Sequence, residues 1–366
     1  MGSVMTGVFK KMTARKVILL LIGGSLLASC TITPADTALQ GAPLHHTTRG
    51  FKNIHIEDPN KTFFSFLWMR TFGKEPWADH SATAGQVPFQ MLELNRVNNP
   101  AAEMQVSWLG HSTFLIQYQG LNILTDPIFS DRASPVSFSG PKRYVPHVVD
   151  YSRLPPIDFV IISHNHFDHL DDTAVKLLGS RPHYFVPLGV RDWVLDQGID
   201  PGKIQELDWW QTADTARTGP KLRVEAQPSQ HWSARGLYDR RKSLWASWHL
   251  TVGEKTLWFA GDTGYNPVQF KEVGRKNGPV DLALIPIGAY DPRSFMKTYH
   301  VDPDEAVMIH KDINARQSIG MHWGTYPLTA EEPMDPPVRL AAARLREGMS
   351  LLEFHTMDIG QTVTLP

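Results

Sequence analysis

The chain holds a single cysteine, Cys30, among its 366 residues. One cysteine cannot close an internal disulfide, so no disulfide framework supports the fold. Charge imbalance is also missing. The 36 Lys and Arg nearly cancel the 37 Asp and Glu, for a formal net charge of -1. That balance gives no general drive toward nucleic acid or anionic membrane, and no nucleic-acid partner is expected. Internal repeats and low-complexity runs are absent. The apolar stretch Val17 to Leu27 is broken by Gly23 and Gly24 and is too short to span a bilayer as a helix. What remains is an ordinary globular composition, 42% hydrophobic, with 11 tryptophans.

The N-terminus carries a processing signal. Lys10, Lys11, Arg15 and Lys16 form a positive region ahead of the short apolar stretch, as in a secretory signal peptide. The stretch ends in Leu27-Ala28-Ser29-Cys30, which resembles a bacterial lipobox. The resemblance implies a signal peptide over 1–29, lipidation of Cys30 and a membrane partner reached through that anchor. Thr31 in place of aspartate implies sorting to the outer membrane, so the expected location is the bacterial cell envelope, facing the periplasm. Residues 30–60 lack an apolar period and read as a flexible tether, leaving 61–366 as the catalytic domain. Phe63, Phe64, Phe66, Leu67, Trp68, Met69 and Phe72 then cluster. They form either a helix packed on the domain or a hydrophobic lip facing lipid.

From Val106 onward strands and helices alternate. Residues 106–127 alternate apolar and polar residues about Gln119-Gly120, which predicts a hairpin. Residues 157–163 form a continuous apolar run, as in a buried strand. Asp171 or Asp172 caps the next helix and Gly179 ends it. Further strands are expected at 221–227, 256–261, 281–287, 318–321 and 360–365, with a helix near 337–347. Asp302-Pro303-Asp304-Glu305 has the form of an N-cap, a first-turn proline and a capping-box glutamate.

The strongest chemical signal is SHNHFDHLD at 163–171. His164, His166, Asp168 and His169 place four metal-ligand types within six residues, at the end of a buried strand. Such density serves either one closed metal site or two neighbouring open ones. His231, Asp262 and His322 each follow another expected strand. Five histidines and two aspartates, with no thiolate, suit zinc, and also manganese or iron.

This order of residues resembles the metallo-β-lactamase superfamily. The segments LTDPIFSDRASP, GPKR, FVPLG, ELDWW, PSQHW, FAGDTGY, IPIGAYDPR, HVDPDEAV and HWGT extend the likeness to N-acyl phosphatidylethanolamine-hydrolysing phospholipases D across roughly residues 50–350. The resemblance implies an α/β fold, the four-layer αβ/βα metallo-β-lactamase sandwich. It also implies two zinc ions per chain. His164, His166 and His231 would hold one ion, Asp168, His169 and His322 the other, and Asp262 would bridge them. A metal-bridging hydroxide would attack phosphorus, with Asp168, Asp262 and His300 as the catalytic set. The implied substrate is a phospholipid or another small-molecule ester. The lipobox extension departs from the best-known, animal members of the family.

Around this set, Asp126 is either a hydrogen-bond partner behind a ligand histidine or a turn aspartate before Pro127. His300 is either a proton donor to the leaving group or a capping-loop histidine, and His111 offers a similar choice. Lys142, Arg143 and Arg293 either neutralise a phosphate or lie on the solvated surface. Trp209, Trp210, Trp232, Trp245, Trp248, Tyr265, Tyr290 and Trp323 divide between core and an apolar pocket for an acyl chain. Two other functions compete with the phospholipase: a metal-dependent lactonase or amidase acting on a non-lipid substrate, and a non-catalytic binding lipoprotein, against which the intact ligand set argues. For the anchor, Cys30→Ser is expected to release soluble protein or leave the precursor uncleaved. Identical membrane retention of that variant on fractionation in high salt would argue against lipidation.

Overall fold

The computed structural model describes residues 39–365 apart from 60, 62, 216–220 and 237. The expected signal peptide, Cys30 and the start of the tether lie outside the described residues. Among the described residues no helix is long and apolar enough to cross a membrane.

The first described element is a short hairpin, β1 (His46–Thr47) and β2 (Gly50–Phe51). It lies in the stretch expected to be a tether, and from His45 onward that stretch is packed on the domain. His45 and His46 donate through Nε2 to separate oxygens of Asp208, at 2.6 and 2.8 Å. His45 also stacks on Trp209 at 4.3 Å, and Phe51 is buried. The docking runs through imidazoles and a carboxylate, which leave no hydrophobic period to read.

The region expected as one hairpin is three strands, β3 (Met104–Gly110), β4 (Thr113–Tyr118) and β5 (Leu121–Thr125). The Gln119-Gly120 turn is present, with φ of 48° and 76°. A second reversal at 110–112 was not expected. It turns on Gly110 at φ 110° and His111 at φ 52°.

The sheet continues in parallel through β6 (Phe159–Ile161), β7 (His183–Pro187) and β8 (Ile204–Leu207). The second sheet begins with β9 (Thr212–Asp214), β10 (Leu222–Gln227), β11 (Ser247–Val252) and β12 (Lys255–Phe259), all antiparallel. It goes on in parallel through β13 (Val280–Pro286), β14 (Ala315–Met321) and β15 (Phe354–His355). The last strand, β16 (Thr362–Leu365), returns to the first sheet beside β3. Two seven-stranded mixed sheets result, the αβ/βα sandwich expected from the sequence.

Both sheets feed one core, in which Trp108, Phe114 and Ile161 of the first join Trp248, Trp258, Leu284 and Ile319 of the second. The Trp248 indole donates to the carbonyl of Ile162 at 2.9 Å, so a side chain of the second sheet satisfies the backbone just beyond β6 in the first. The helix Pro303–Asp312 packs on β13 and β14 and begins with the expected capping box, Asp302 with Glu305. Asp171 caps the helix Asp172–Leu178, and Gly179 ends it at φ 58°.

The aromatic cluster forms the helix Phe63–Phe72. Phe66 packs against Trp77 and Phe295, while Trp68 and Phe72 stand 68% and 56% exposed. One face is therefore packed and the other open.

The docking of residues 45–53 yields a stability prediction. Asp208→Ala should leave the buried His45 imidazole without its acceptor and lower unfolding stability by about 1–3 kcal/mol. Urea or thermal denaturation measures it, and unchanged stability would mean that this segment is not held through Asp208.

Candidate metal centre

The residues singled out in the sequence ride at the C-terminal ends of strands from both sheets. His111 follows β3, Asp126 follows β5 and His164 follows β6, while His231, Asp262 and His322 follow β10, β12 and β14. Open α/β sheets place ligand sites at these ends. His111, Asp126 and His322 have φ of 52°, 30° and 63°, a region that non-glycine residues enter only when their surroundings impose it. Gly261, at φ 57°, lets the end of β12 approach the other sheet, because a Cβ there would meet the Ser163 Cβ at 2.5 Å.

Two groups of donor atoms converge. In the first, Nδ1 of His166 lies 2.9 Å from Nε2 of His164 and 3.2 Å from Nε2 of His231. In the second, Oδ2 of Asp168 lies 3.5 Å from Nε2 of His169 and 3.4 Å from Nε2 of His322. Asp262 stands between them. Its Oδ1 is 3.1 Å from His322 Nε2, and its Oδ2 is 3.3 Å from His169 Nε2 and 3.8 Å from His231 Nε2.

Most of these separations exceed hydrogen-bond lengths. They match the edges, about 3.3 Å, of a tetrahedron built on zinc–ligand bonds of about 2.0–2.2 Å. His169 Nε2, His322 Nε2 and Asp262 Oδ1 are buried with no hydrogen-bond partner. Buried polar atoms without partners call for an ion or water, and an imidazole and carboxylate set without sulfur fits zinc, manganese or iron. The residues present therefore fit a metal pair. By contrast, the His45, His46 and Asp208 group is closed by hydrogen bonds of 2.6 and 2.8 Å, and Asp208 Oδ1 also accepts from the Trp209 amide.

A second layer orients the donors. Asp126 is fully buried and accepts from His169 Nδ1 at 2.6 Å and from the Ser163 amide at 2.7 Å. His111 Nε2 reaches Asp168 Oδ2 at 3.0 Å. His231 donates from Nδ1 to the carbonyl of Tyr299 at 2.9 Å. The bonds to His169 and His231 leave the opposite ring nitrogen facing inward, whereas His111 approaches the same Asp168 Oδ2 that faces the centre. His300 completes the wall, its Nδ1 3.9 Å from Asp262 Oδ2.

Burial dominates the protonation of this cluster. It drives His164 well below the ordinary imidazole value, and His111, His166, His231 and His300 to about 3. Burial acts the same way on His169 and His322. There it is overcome by Asp262 first and Asp168 next, which raise His169 well above its ordinary value and His322 to about 9. Burial also opposes charge on Asp168 and Asp262, but the facing imidazoles hold both well below the ordinary carboxylate value.

The three basic candidates do not face this centre. Arg143 is buried and donates to Tyr326 Oη and to the carbonyls of Ile128 and Leu109. Arg293 donates to the carbonyl of His300 and pairs with Glu305. Lys142 is exposed, in a bridge with Arg132. Arg143 and Arg293 hold backbone in place, a use of arginine that spacing in sequence does not reveal. Of the aromatic residues, Trp209, Trp245, Trp248, Tyr290 and Trp323 are buried. Trp232 is half-buried, with its ring 4.4 Å from that of His166. Ser163, Tyr299 and Arg235 were not expected. Arg235 donates to the carbonyls of Asn165 and Leu170, at 2.9 and 2.6 Å, and so holds the loop that carries His166 to His169.

Residues 121–323 match the Beta-lactamase superfamily domain, and the chain belongs to this superfamily. It is 44% identical over 263 residues to N-acyl-phosphatidylethanolamine-hydrolyzing phospholipase D 1 of Caenorhabditis elegans, covering 70% of this chain and 74% of that protein. The mitochondrial N-acyl-phosphatidylethanolamine-hydrolyzing phospholipase D of Saccharomyces cerevisiae is 38% identical over 64% of this chain and 50% of its own length. A metallo hydrolase from the archaeon Ignicoccus hospitalis shares the fold at a TM-score of 0.54 and 22% identity, covering 72% of this chain and 98% of that one. With these relatives and this donor set, the protein is a metal-dependent hydrolase.

Asp126→Asn should fold, because the isosteric amide keeps the site filled, but it weakens the acceptor for His169 Nδ1. Metal affinity or turnover should fall about 10–100-fold, as for other partners behind metal ligands. Metal content after dialysis against a weak chelator is the measurement, and wild-type retention would assign Asp126 to the turn alone.

Proposed function

We propose that the protein is a dinuclear zinc phosphodiesterase of the phospholipase D type, acting on N-acyl phosphatidylethanolamine-like phospholipids. The observation that carries this reading is the pair of donor groups sharing Asp262, with buried nitrogen and oxygen atoms otherwise unpartnered. His164, His166 and His231 would hold one ion and Asp168, His169 and His322 the other, with Asp262 between. The same donor types would take manganese or iron. When bound, such a pair supplies an activated water at neutral pH and neutralises charge on phosphoryl oxygens.

The chain's own residues do the rest. Asp126, His111 and the Tyr299 carbonyl fix the orientation of His169, Asp168 and His231. His300, beside Asp262 and held neutral by burial, is placed to offer its ring N–H as a hydrogen bond to the departing head-group oxygen. In the net reaction water oxygen bonds to phosphorus, the phosphorus–head-group oxygen bond breaks, and the proton from water ends on the released alcohol. The relatives' activity supports phosphorus as the point of attack. The sequence signals at 1–30 support an envelope lipoprotein anchored through Cys30, which would hold the site near lipid.

Incubation with vesicles containing N-acyl phosphatidylethanolamine in oxygen-18 water tests the reaction. Phosphatidic acid carrying the label, together with an unlabelled N-acylethanolamine, is the expected outcome. Label in a released fatty acid would show attack at carbon. No turnover on any phospholipid, with activity on lactones or amides, would overturn the phospholipase reading.

A further inference from the structure

The segment between β2 and the helix Phe63–Phe72 reaches the back of the first donor group. The Asn53 side chain donates from Nδ2 to the backbone carbonyl of His231 at 2.9 Å. Asp58 gathers four donors around it. Its Oδ1 accepts from Asn53 Nδ2 at 2.5 Å and from the Tyr299 hydroxyl at 3.1 Å. Its Oδ2 accepts from the Asn53 amide at 3.2 Å and pairs with Arg241 at 3.2 Å. Tyr299 is the residue whose carbonyl accepts the Nδ1–H of His231. Asn53 and Tyr299 are both buried, and the Asp58 side chain is 9% exposed. The main chain and the ring of His231 are thus both referred to one carboxylate, 173 positions earlier in the chain.

We infer that Asn53 and Asp58 are positioning residues for the metal held by His164, His166 and His231. The inference rests on the two-metal reading above. Neither residue has a donor atom among the converging set, so each acts through His231. Asn53 fixes where its backbone sits. Asp58 fixes Tyr299, and through Tyr299 which ring nitrogen of His231 carries the proton. The second donor group, on Asp168, His169 and His322, has its own supports in Asp126 and His111. Loss of the 53–58 bracket should therefore weaken one metal and spare the other. Partners of this kind change metal affinity about 10–100-fold.

The test is a chelator titration of zinc-loaded full-length protein, with bound metal counted by elemental analysis. Thermal melting and the visible spectrum of the cobalt-substituted protein are recorded alongside. In Asn53→Ala and Asp58→Asn, one ion should leave at about 10–100-fold lower chelator concentration, while the second leaves as in the wild type. The cobalt bands of the weakened site should change. Should Asn53→Ala fold poorly, Asp58→Asn, which keeps an oxygen for Tyr299, gives the same comparison. Thr47→Ala is the control, because it lies on the β1–β2 hairpin with no bond to His231, and it should leave the profile unchanged. If both variants melt earlier yet release metal as the wild type does, the bracket is structural only and the inference is overturned. A wild type that holds one ion, lost sooner in the variants, would overturn the two-metal reading and leave this one standing.

Discussion

The constraint on which the rest depends is the burial of Asp262. Its carboxylate is 3% exposed and faces His169, His231, His300 and His322 within 3.1–3.9 Å. A carboxylate taken out of water needs positive charge or hydrogen-bond donors beside it. Burial holds two of these imidazoles, His231 and His300, far below the ordinary value, so they offer little charge. His169 and His322, each close to both Asp168 and Asp262, are pushed the other way, toward the charged form. A metal ion satisfies the same carboxylates and needs those imidazoles neutral, so metal binding and proton release are coupled at this centre. The pocket is built around positive charge, and the identity of that charge is what changes when metal enters.

Holding these groups together falls to the two sheets, since neither carries the centre alone. Asp126, His164 and His169 belong to the first, whereas His231, Asp262 and His322 belong to the second. The sheets must therefore pack in register before the donors meet. Trp248, donating to the Ile162 carbonyl two residues before His164, ties that packing to the site. The left-handed backbone at His111, Asp126 and His322 is sustained by the same packing. Strain of this kind costs on the order of 1–3 kcal/mol per residue and persists where the surroundings fix it.

What could be read from the sequence follows from this arrangement. The dense run His164 to His169 is local, so spacing alone exposed it. His231, Asp262 and His322 could be found because strand ends are marked by the apolar runs before them. The capping box at Asp302 and the turn at Gln119-Gly120 are likewise set by neighbours in sequence. The reversal at Gly110-His111 lacks a proline or an Asn-Gly pair, and Gly110 alone marks it in the sequence. The packed stretch after His45 was hidden because imidazoles, an asparagine and an aspartate do the docking, and such contacts join residues more than 150 positions apart. Arg143 and Arg293 carry charges that suggested anion binding, but their donors are taken by backbone carbonyls, a Tyr hydroxyl and a Glu.

The donor set does not by itself choose a substrate. A metal-activated water can attack carbon or phosphorus, and the outcome depends on which atom is held in line. That choice belongs to the rim. Trp232 lies against His166, and the Arg240 guanidinium stacks 4.0 Å above the Trp232 ring, half-buried by the same segment. A cation held over an aromatic face presents charge without a long flexible reach. On the helix Phe63–Phe72, Trp68 and Phe72 leave apolar surface exposed. An amphiphile with an anionic group asks for both kinds of surface, whereas a small neutral ester asks for neither. The metal donors suit either kind of hydrolase, so a distinction between them must come from residues around the donors, such as Trp232 and Arg240.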